Sequence, residues 1–152
     1  MKFLEQFTLI TDIIFGLMIL LYLYQIVYIA VSMFKRKVPK LSDAKKNHRY
    51  AIFISARNEK GVIGELLDSL HNQTYPKDMY DIYVVADNCT DETAEVARNH
   101  GAIVYERFNQ EEVGKGYALN FLYHHVIELK GEDYYEAFMV FDADNIIDKN
   151  FL

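Results

Sequence analysis

The chain is 152 residues long with a formal net charge of −6, and that charge is segregated along the sequence. Residues 1–34 carry net −1, residues 35–50 net +6 and residues 51–152 net −11. A hydrophobic content of 51% excludes a disordered chain, and an acidic body with its basic groups gathered in one short block argues against nucleic-acid binding. Three blocks are expected: an apolar segment over 1–34, a basic linker over 35–49, and a body over 50–152 large enough for one domain. Cys89 is the only cysteine, which excludes an intramolecular disulfide and fits a reducing compartment.

From Leu9 to Met33 there is no Lys, Arg, Glu or His, and Asp12 sits near one end. At about 1.5 Å per residue the run outreaches a hydrocarbon core of roughly 30 Å. A signal peptide would have a shorter apolar region and small residues before a cleavage site. Here the run is long and Phe34-Lys35-Arg36-Lys37 follows it, so a retained transmembrane helix is expected. The basic flank lies on the C-terminal side. The positive-inside rule therefore predicts a single pass through the inner (plasma) membrane, with the N-terminus outside and residue 35 onward in the cytoplasm. Gln25 falls near mid-span, with Tyr24 and Tyr28 four apart and Gln25 and Ser32 seven apart. A polar amide is costly in lipid, so that side is expected to face another helix.

Beyond Pro39 the pattern alternates. Tyr50 to Ser55 is a short apolar run suited to a buried strand, and Val62 to His71 has helical spacing. Gln73-Thr74-Tyr75-Pro76 should end that helix, and Tyr80 to Ala86 reads as a second strand. Thr90 or Asp91 can cap a helix over Thr93 to His100, with Gly101 placed to stop it. Ala102 to Tyr105 is a third predicted strand, Tyr117 to Leu129 a helix stopped near Gly131, and Ala137 to Phe141 a fourth strand. Tyr134 and Tyr135 are expected to pack on the sheet edge, and Lys45, Lys46 and Arg49 to form a solvated or headgroup-facing junction. Strands alternating with helices predict an α/β class: a Rossmann-like, mostly parallel sheet with helices on both faces.

In such sheets ligands sit outside the carboxyl ends of the strands. Those ends read Ala56-Arg57-Asn58-Glu59, Asp87-Asn88-Cys89 and Asp142-Ala143-Asp144. Any loop is polar; the coincidence of three such ends at one edge is what carries weight. Asp142 and Asp144 are two apart and should leave on one face, where neighbouring carboxylates repel unless a cation or solvent relieves them. Oxygen-only ligands favour Mg²⁺ or Mn²⁺, which keep waters and take substrate phosphates as further ligands. Gly114-Lys115-Gly116 sets a cation on a flexible loop opening a helix, suited to phosphate, though it lacks the upstream glycine and following Ser/Thr of a Walker motif.

The ordered set Ile54-Ser55-Ala56-Arg57-Asn58-Glu59, Val84-Val85-Ala86-Asp87-Asn88-Cys89-Thr90-Asp91, Gly114-Lys115-Gly116-Tyr117-Ala118-Leu119-Asn120 and Phe141-Asp142-Ala143-Asp144 resembles the family 2 glycosyltransferases. These are inverting enzymes of GT-A fold using nucleotide-activated sugars, and the resemblance is to membrane-bound bacterial, cellulose-synthase-like members. It implies that Ala56, Arg57, Asn58 and Glu59 line the nucleoside, with Glu59 near the ribose. It implies further that Asp87 accepts a hydrogen bond from the base, typically uracil, and that Lys115 sits beside the nucleotide. Asp142 would lie near ribose and sugar, and Asp144 would ligate the divalent metal on the diphosphate. Ala86 stands where many members carry another acidic residue, and Asn88-Cys89 replace a commoner Gly-Ser.

The family's general base is a carboxylate in a motif downstream of Asp-x-Asp, and the processive members' Gln-x-x-Arg-Trp motif also lies there. Neither is found among the residues up to Leu152. The sequence is thus expected to hold the donor-nucleotide half of an enzyme, without catalytic base or acceptor site, and Asp148 is expected to cap rather than catalyse. The implied partners are a UDP-sugar, the membrane, a lipid or polysaccharide acceptor for the full-length family, and a second copy of the chain. Two other classes stay open: a non-catalytic nucleotide-sugar-binding module, and an oligomeric membrane-assembly module with an idle pocket.

Overall fold

A computed structural model describes residues 2–33 and 46–152. The basic run Phe34-Lys35-Arg36-Lys37, Pro39 and Lys45 lie outside the described residues. The described residues fall into two units, each taken by itself.

The first is a single helix, α1 (Lys2–Met33). Its stretch Leu4–Met33 contains an 18-residue segment of mean hydropathy 2.3 and is exposed apart from the half-buried Thr11, apolar on every side. Few polar groups interrupt it. The Thr8 and Thr11 hydroxyls donate back to the carbonyls of Leu4 and Phe7 at 2.9 and 2.8 Å, and that of Ser32 to Ile29 at 2.7 Å. Tyr24 and Tyr28 meet edge to face, with ring centroids 5.8 Å apart.

The second unit is the α/β body. Its elements run β1 (Tyr50–Ala56), α2 (Ile63–His71), a 3-10 turn (Lys77–Met79), β2 (Tyr80–Asp87), α3 (Thr93–Asn99), β3 (Ile103–Arg107), α4 (Lys115–Lys130) and β4 (Ala137–Asp142). The four strands form one parallel sheet in the order β3-β2-β1-β4, so the predicted architecture stands. Successive strands step outward from β1 to β3. The chain then returns to lay β4 beside β1. A right-handed return requires the opposite face, and the packing agrees. α2 and α3 cover one face, where Leu66, Leu67, Leu70 and Ala97 pack on Ile52, Ile54 and Val84. α4 covers the other, where Ala118, Leu122 and Val126 pack on Ala51, Phe53, Tyr83 and Val85. β1 is covered on both faces, which is why its sequence is a continuous apolar run rather than an alternation.

Helix ends follow local chemistry. α3 closes through Gly101, in the left-handed region at φ +81, whose N–H donates to Arg98 O while the N–H of Ala102 donates to Ala97 O. That is a Schellman closure, for which glycine is suited by its missing Cβ. At the other end Glu92 holds the capping position without a side-chain bond, and Asp91 supplies the capping oxygen to the N–H of Thr93 at 3.0 Å. The residues after Asp144 fold against the end of α2. Gln73, buried, donates to the carbonyls of Ser69 and Asp148 and accepts from the N–H of Leu152. Asp148 accepts from the N–H of Asn150 at 2.9 Å, a turn-forming role.

One expectation is corrected. Tyr135 is not at the sheet edge but 4% exposed in the core beneath α4. Its hydroxyl bridges Tyr83 and Asp81 at 2.6 Å each, and burial holds it well above the ordinary tyrosine range. Arg49 donates to the carbonyl of Asp78 at 2.7 Å and lies over the ring of Tyr134, and Lys46 pairs with Glu136 at 3.0 Å. Lys46 itself stays largely solvated.

Candidate functional site

The sheet order puts a switch point between β1 and β4, the place where open α/β sheets bind ligands at their carboxyl ends. Ser55 is in register with Asp142, Ala56 with Ala86, and Asp87 with Arg107, so these four strand ends finish nearly level.

The loop after β1 is built by Asn58, which takes φ +57, tolerable for asparagine because its short polar side chain bonds locally. Its Oδ1 accepts from the N–H of Thr90 at 2.8 Å and faces the Thr90 hydroxyl at 3.3 Å. The N–H of Glu59 donates to the buried Thr93 hydroxyl at 2.8 Å, and the carbonyl of Glu59 starts α2 by accepting from Val62 and Ile63. The Thr93 hydroxyl in turn donates to Asp91 Oδ1, and that bond holds the Asp91 carboxyl below its usual range. Cys89 sits between the same loops, its thiol donating to Ala56 O and accepting from the N–H of Asn58, both at 3.5 Å. Burial pushes the Cys89 thiol up, which disfavours the thiolate. The 56–60 and 88–93 loops are therefore one laced unit. Its exposed groups include Arg57, while Glu59 is half-buried.

Asp87 ends β2 deeply buried, paired with Arg107 at the end of β3 (Nη1 to Oδ1, 2.8 Å; side chains 5% and 4% exposed for Arg107 and Asp87). Asn88 follows at φ +51. Its side-chain amide donates to Asn109 O and accepts from the N–H of Asn109, both at 2.9 Å, stapling the end of β2 to the loop before α4.

That loop delivers Lys115. Gly114, at φ +130, turns the chain into α4, and Lys115 opens the helix. The Lys115 ammonium reaches Asp142 Oδ1, so two site residues 27 positions apart are in contact. Both are substantially solvated. A cleft of about 480 Å³ is lined by Val113, Gly114, Gly116, Tyr117 and Asn120, the two glycines flanking Lys115, and a second of about 440 Å³ shares Tyr117 and Asn120 and extends to Arg107.

β4 ends at Asp142, and a turn follows in which the N–H of Asn145 donates to Asp142 O at 3.2 Å. Strand alternation therefore does not reach Asp144. Even so, Asp142 and Asp144 are both exposed on either side of buried Ala143. No group of three or more His, Cys, Asp or Glu gathers to hold a metal among the described residues. A divalent ion such as Mg²⁺ or Mn²⁺, held by one or two carboxylates with water and phosphate oxygens completing its shell, does not require such a group.

Three groups at this edge were not legible from the sequence: Thr93, Asn109 and Arg107. Thr93 was assigned only to a helix start. Arg107 fell outside the predicted third strand, which was drawn to stop at Tyr105.

The model of the family described as glycosyl transferase family 2 matches residues 51–152. The chain belongs to that family. It is 36% identical over 99 residues to a beta-monoglucosyldiacylglycerol synthase of Nostoc sp. strain PCC 7120, covering 62% of this chain and 20% of the relative. It is 44% identical over 84 residues to a 4,4'-diaponeurosporenoate glycosyltransferase of Staphylococcus aureus strain USA300, covering 55% and 21%. Among solved structures it resembles a mannosyltransferase from Pyrobaculum calidifontis in complex with GDP-Man and Mn²⁺ (TM-score 0.60, 26% identity, 82% of this chain and 34% of that one). It also resembles Staphylococcus aureus TarS 1–349 (TM-score 0.53, 25% identity, 66% and 29%). The fold is thus GT-A-like, and the chain spans about a fifth of the length of the curated relatives it matches.

Proposed function

We propose that residues 50–152 bind a nucleotide-sugar donor, a UDP-sugar, as the donor half of a membrane-anchored glycosyltransferase that glycosylates a lipid. The observation that carries this is the contact of Lys115 with Asp142 at the β1/β4 switch point, two residues before Asp144 and beside an open cleft. It supports a reading in which a cation suited to phosphate stands next to carboxylates suited to a divalent ion at the carboxyl edge of the sheet. The donor class is supported by family membership and by the GDP-Man held in the mannosyltransferase of like fold.

The chain's own groups divide the work. The laced loops 56–60 and 88–93 present a preformed wall for the nucleoside, with Ala56, Arg57 and Asn58 against it and Glu59 toward the ribose. Their bonds are made before ligand arrives, so little ordering entropy is left to lose on binding. Lys115, on a glycine-flanked loop, exchanges its contact with Asp142 for the diphosphate. Asp142 is then free for a ribose or sugar hydroxyl. Asp144 would hold Mg²⁺ or Mn²⁺, which when bound neutralises the negative charge that grows on a diphosphate leaving group. The attacking hydroxyl must lose its proton to a base within hydrogen-bonding reach, and Asp148, engaged with the N–H of Asn150, is not assigned that role.

The lipid acceptor is supported by the apolar stretch Leu4–Met33 and by relatives named as a beta-monoglucosyldiacylglycerol synthase and a 4,4'-diaponeurosporenoate glycosyltransferase. The basic block 35–49 in the sequence supports a body on the cytoplasmic side.

Calorimetry on the full chain in detergent tests the site. UDP should bind in the presence of Mn²⁺ and weaken on its removal by EDTA. Asp144→Ala should bind UDP with equal affinity with and without Mn²⁺. Metal-dependent binding that survives Asp144→Ala would contradict the metal assignment.

A further inference from the structure

The ion pair between Arg107 and Asp87 is more buried than any other among the described residues. A pair taken this far from water must have its remaining polar atoms accounted for. On Arg107, Nη1 donates to Asp87 Oδ1 at 2.8 Å, Nη2 donates to Glu112 Oε2 at 3.2 Å, and the guanidinium carbon lies 6.0 Å from the ring centre of Phe121. The arginine is clamped. On Asp87 the second donor, Asn88 Nδ2 at 3.3 Å, also goes to Oδ1. Asp87 Oδ2 accepts no hydrogen bond from the described residues. Every fully buried side-chain oxygen described has a partner, so Oδ2, which has none among the described residues, keeps a small exposed surface at the carboxyl end of β2 although the Asp87 side chain is only 4% exposed. Both donors converge on Oδ1 and leave Oδ2 without one, on a residue that ends β2 at the edge of the sheet where ligands bind.

We propose that Arg107 is a positioning residue that sets base specificity by pinning Asp87 Oδ1, so that Oδ2 is presented as a fixed, acceptor-only group. The site then takes a nucleoside diphosphate whose base carries a ring N–H, uracil N3–H or guanine N1–H. It rejects cytosine, whose N3 offers a lone pair against the carboxylate. This rests on the donor-binding reading above and adds the residue that enforces its base choice. Arg107 never touches the donor. It acts through Asp87, and its guanidinium has donors only.

That last property gives a diagnostic variant. In Asp87→Asn the only group that can accept from Arg107 is the amide oxygen, so Arg107 forces the amide NH₂ into the place of Oδ2. The ligand then meets a donor where it met an acceptor, and a cytosine N3 is favoured. Where Arg107 is also replaced, as in Arg107→Met with Asp87→Asn, the amide is free to flip and the preference disappears. The double variant contains neither charge, so it does not strand a buried ion as Arg107→Met alone would.

UDP, GDP and CDP are titrated into the full chain in detergent with Mn²⁺, and circular dichroism melts confirm that each variant is folded. The unaltered chain is expected to bind UDP or GDP about 10- to 100-fold more tightly than CDP. Whichever of UDP and GDP binds tighter identifies the base. Asp87→Asn is expected to reverse the order in favour of CDP, and the double variant to bring UDP and CDP within about threefold of each other. A merely structural ion pair would weaken all three ligands alike and reverse nothing. An Asp87→Asn chain that still prefers UDP, or a double variant that keeps the reversed order, overturns the inference. Binding of all three nucleotides without preference by the unaltered chain overturns the inference and leaves donor binding standing. No nucleotide binding at all overturns the donor reading and the inference with it.

Discussion

A single hydroxyl ties the loops after β1 and β2 together. Thr93, fully buried, accepts the N–H of Glu59 and donates to Asp91 Oδ1, so the β1 loop and the start of α3 share one atom. The Asp91 carboxyl is held below its ordinary 3.8, first by the Thr93 hydroxyl and then by backbone N–H groups. A depressed folded value means the contribution is present above the unfolded value and fades as pH falls through the folded one. Asp91→Ala should therefore lower Tm at pH 7, with the gap between variant and unaltered chain narrowing toward about pH 3. An equal gap at both pH values would contradict the assignment. The acidic strand ends were legible because acid and amide types at a carboxyl edge have few structural reasons to coincide. Thr93 and Arg107 were not. A threonine near a helix start reads as a cap, and Arg107 finds its meaning only through Asp87, a residue 20 positions earlier that meets it across the β2–β3 ladder.

At the scale of elements, the charged end of β3 shows why that strand was drawn short. Ile103–Arg107 ends in Glu106 and Arg107, which look like loop residues. Glu106 points toward α3, where it pairs with Arg98 at 2.6 Å, and Arg107 points to the other face and Asp87. Alternation held; only the means of satisfying each charge was hidden. Tyr135 misled for the same reason, since its partners Tyr83 and Asp81 lie more than fifty residues away. Helix stops were easier, because glycine past a periodic run is a local signal. Gly101 carries φ +81, and a Cβ there would sit 3.1 Å from His71 Nε2. Gly101→Ala should cost about 1–2 kcal/mol of stability from the left-handed backbone, measurable by urea unfolding of the full chain in detergent. A loss well under 0.5 kcal/mol would show that α3 can end in another way.

At the scale of the whole chain, one topological fact organises the site. Strand order β3-β2-β1-β4 follows from stepping outward twice and returning across the other face, and it leaves a crevice between β1 and β4 at their carboxyl ends. The sequence motifs occupy the loops that border that end of the sheet, which is why their order along the chain was enough to predict where they would gather. How far each would touch the next was not predictable. The loops after β1 and β2 interlock, Asn88 staples the second of them to the loop before α4, and Lys115 meets Asp142, but no side-chain hydrogen bond among the described residues links 56–60 or 89–93 to Lys115 or Asp142. A diphosphate with its nucleoside is the object that would bridge them. Hydrogen exchange by mass spectrometry on the full chain, with and without UDP and Mn²⁺, tests that directly. Bound donor should slow exchange in 56–60, 88–93 and 113–117 together, while the opposite edge at 77–81 and 131–136 is unchanged. Protection confined to the opposite edge, or to one of these loops without the others, would contradict a donor site at the β1/β4 switch point.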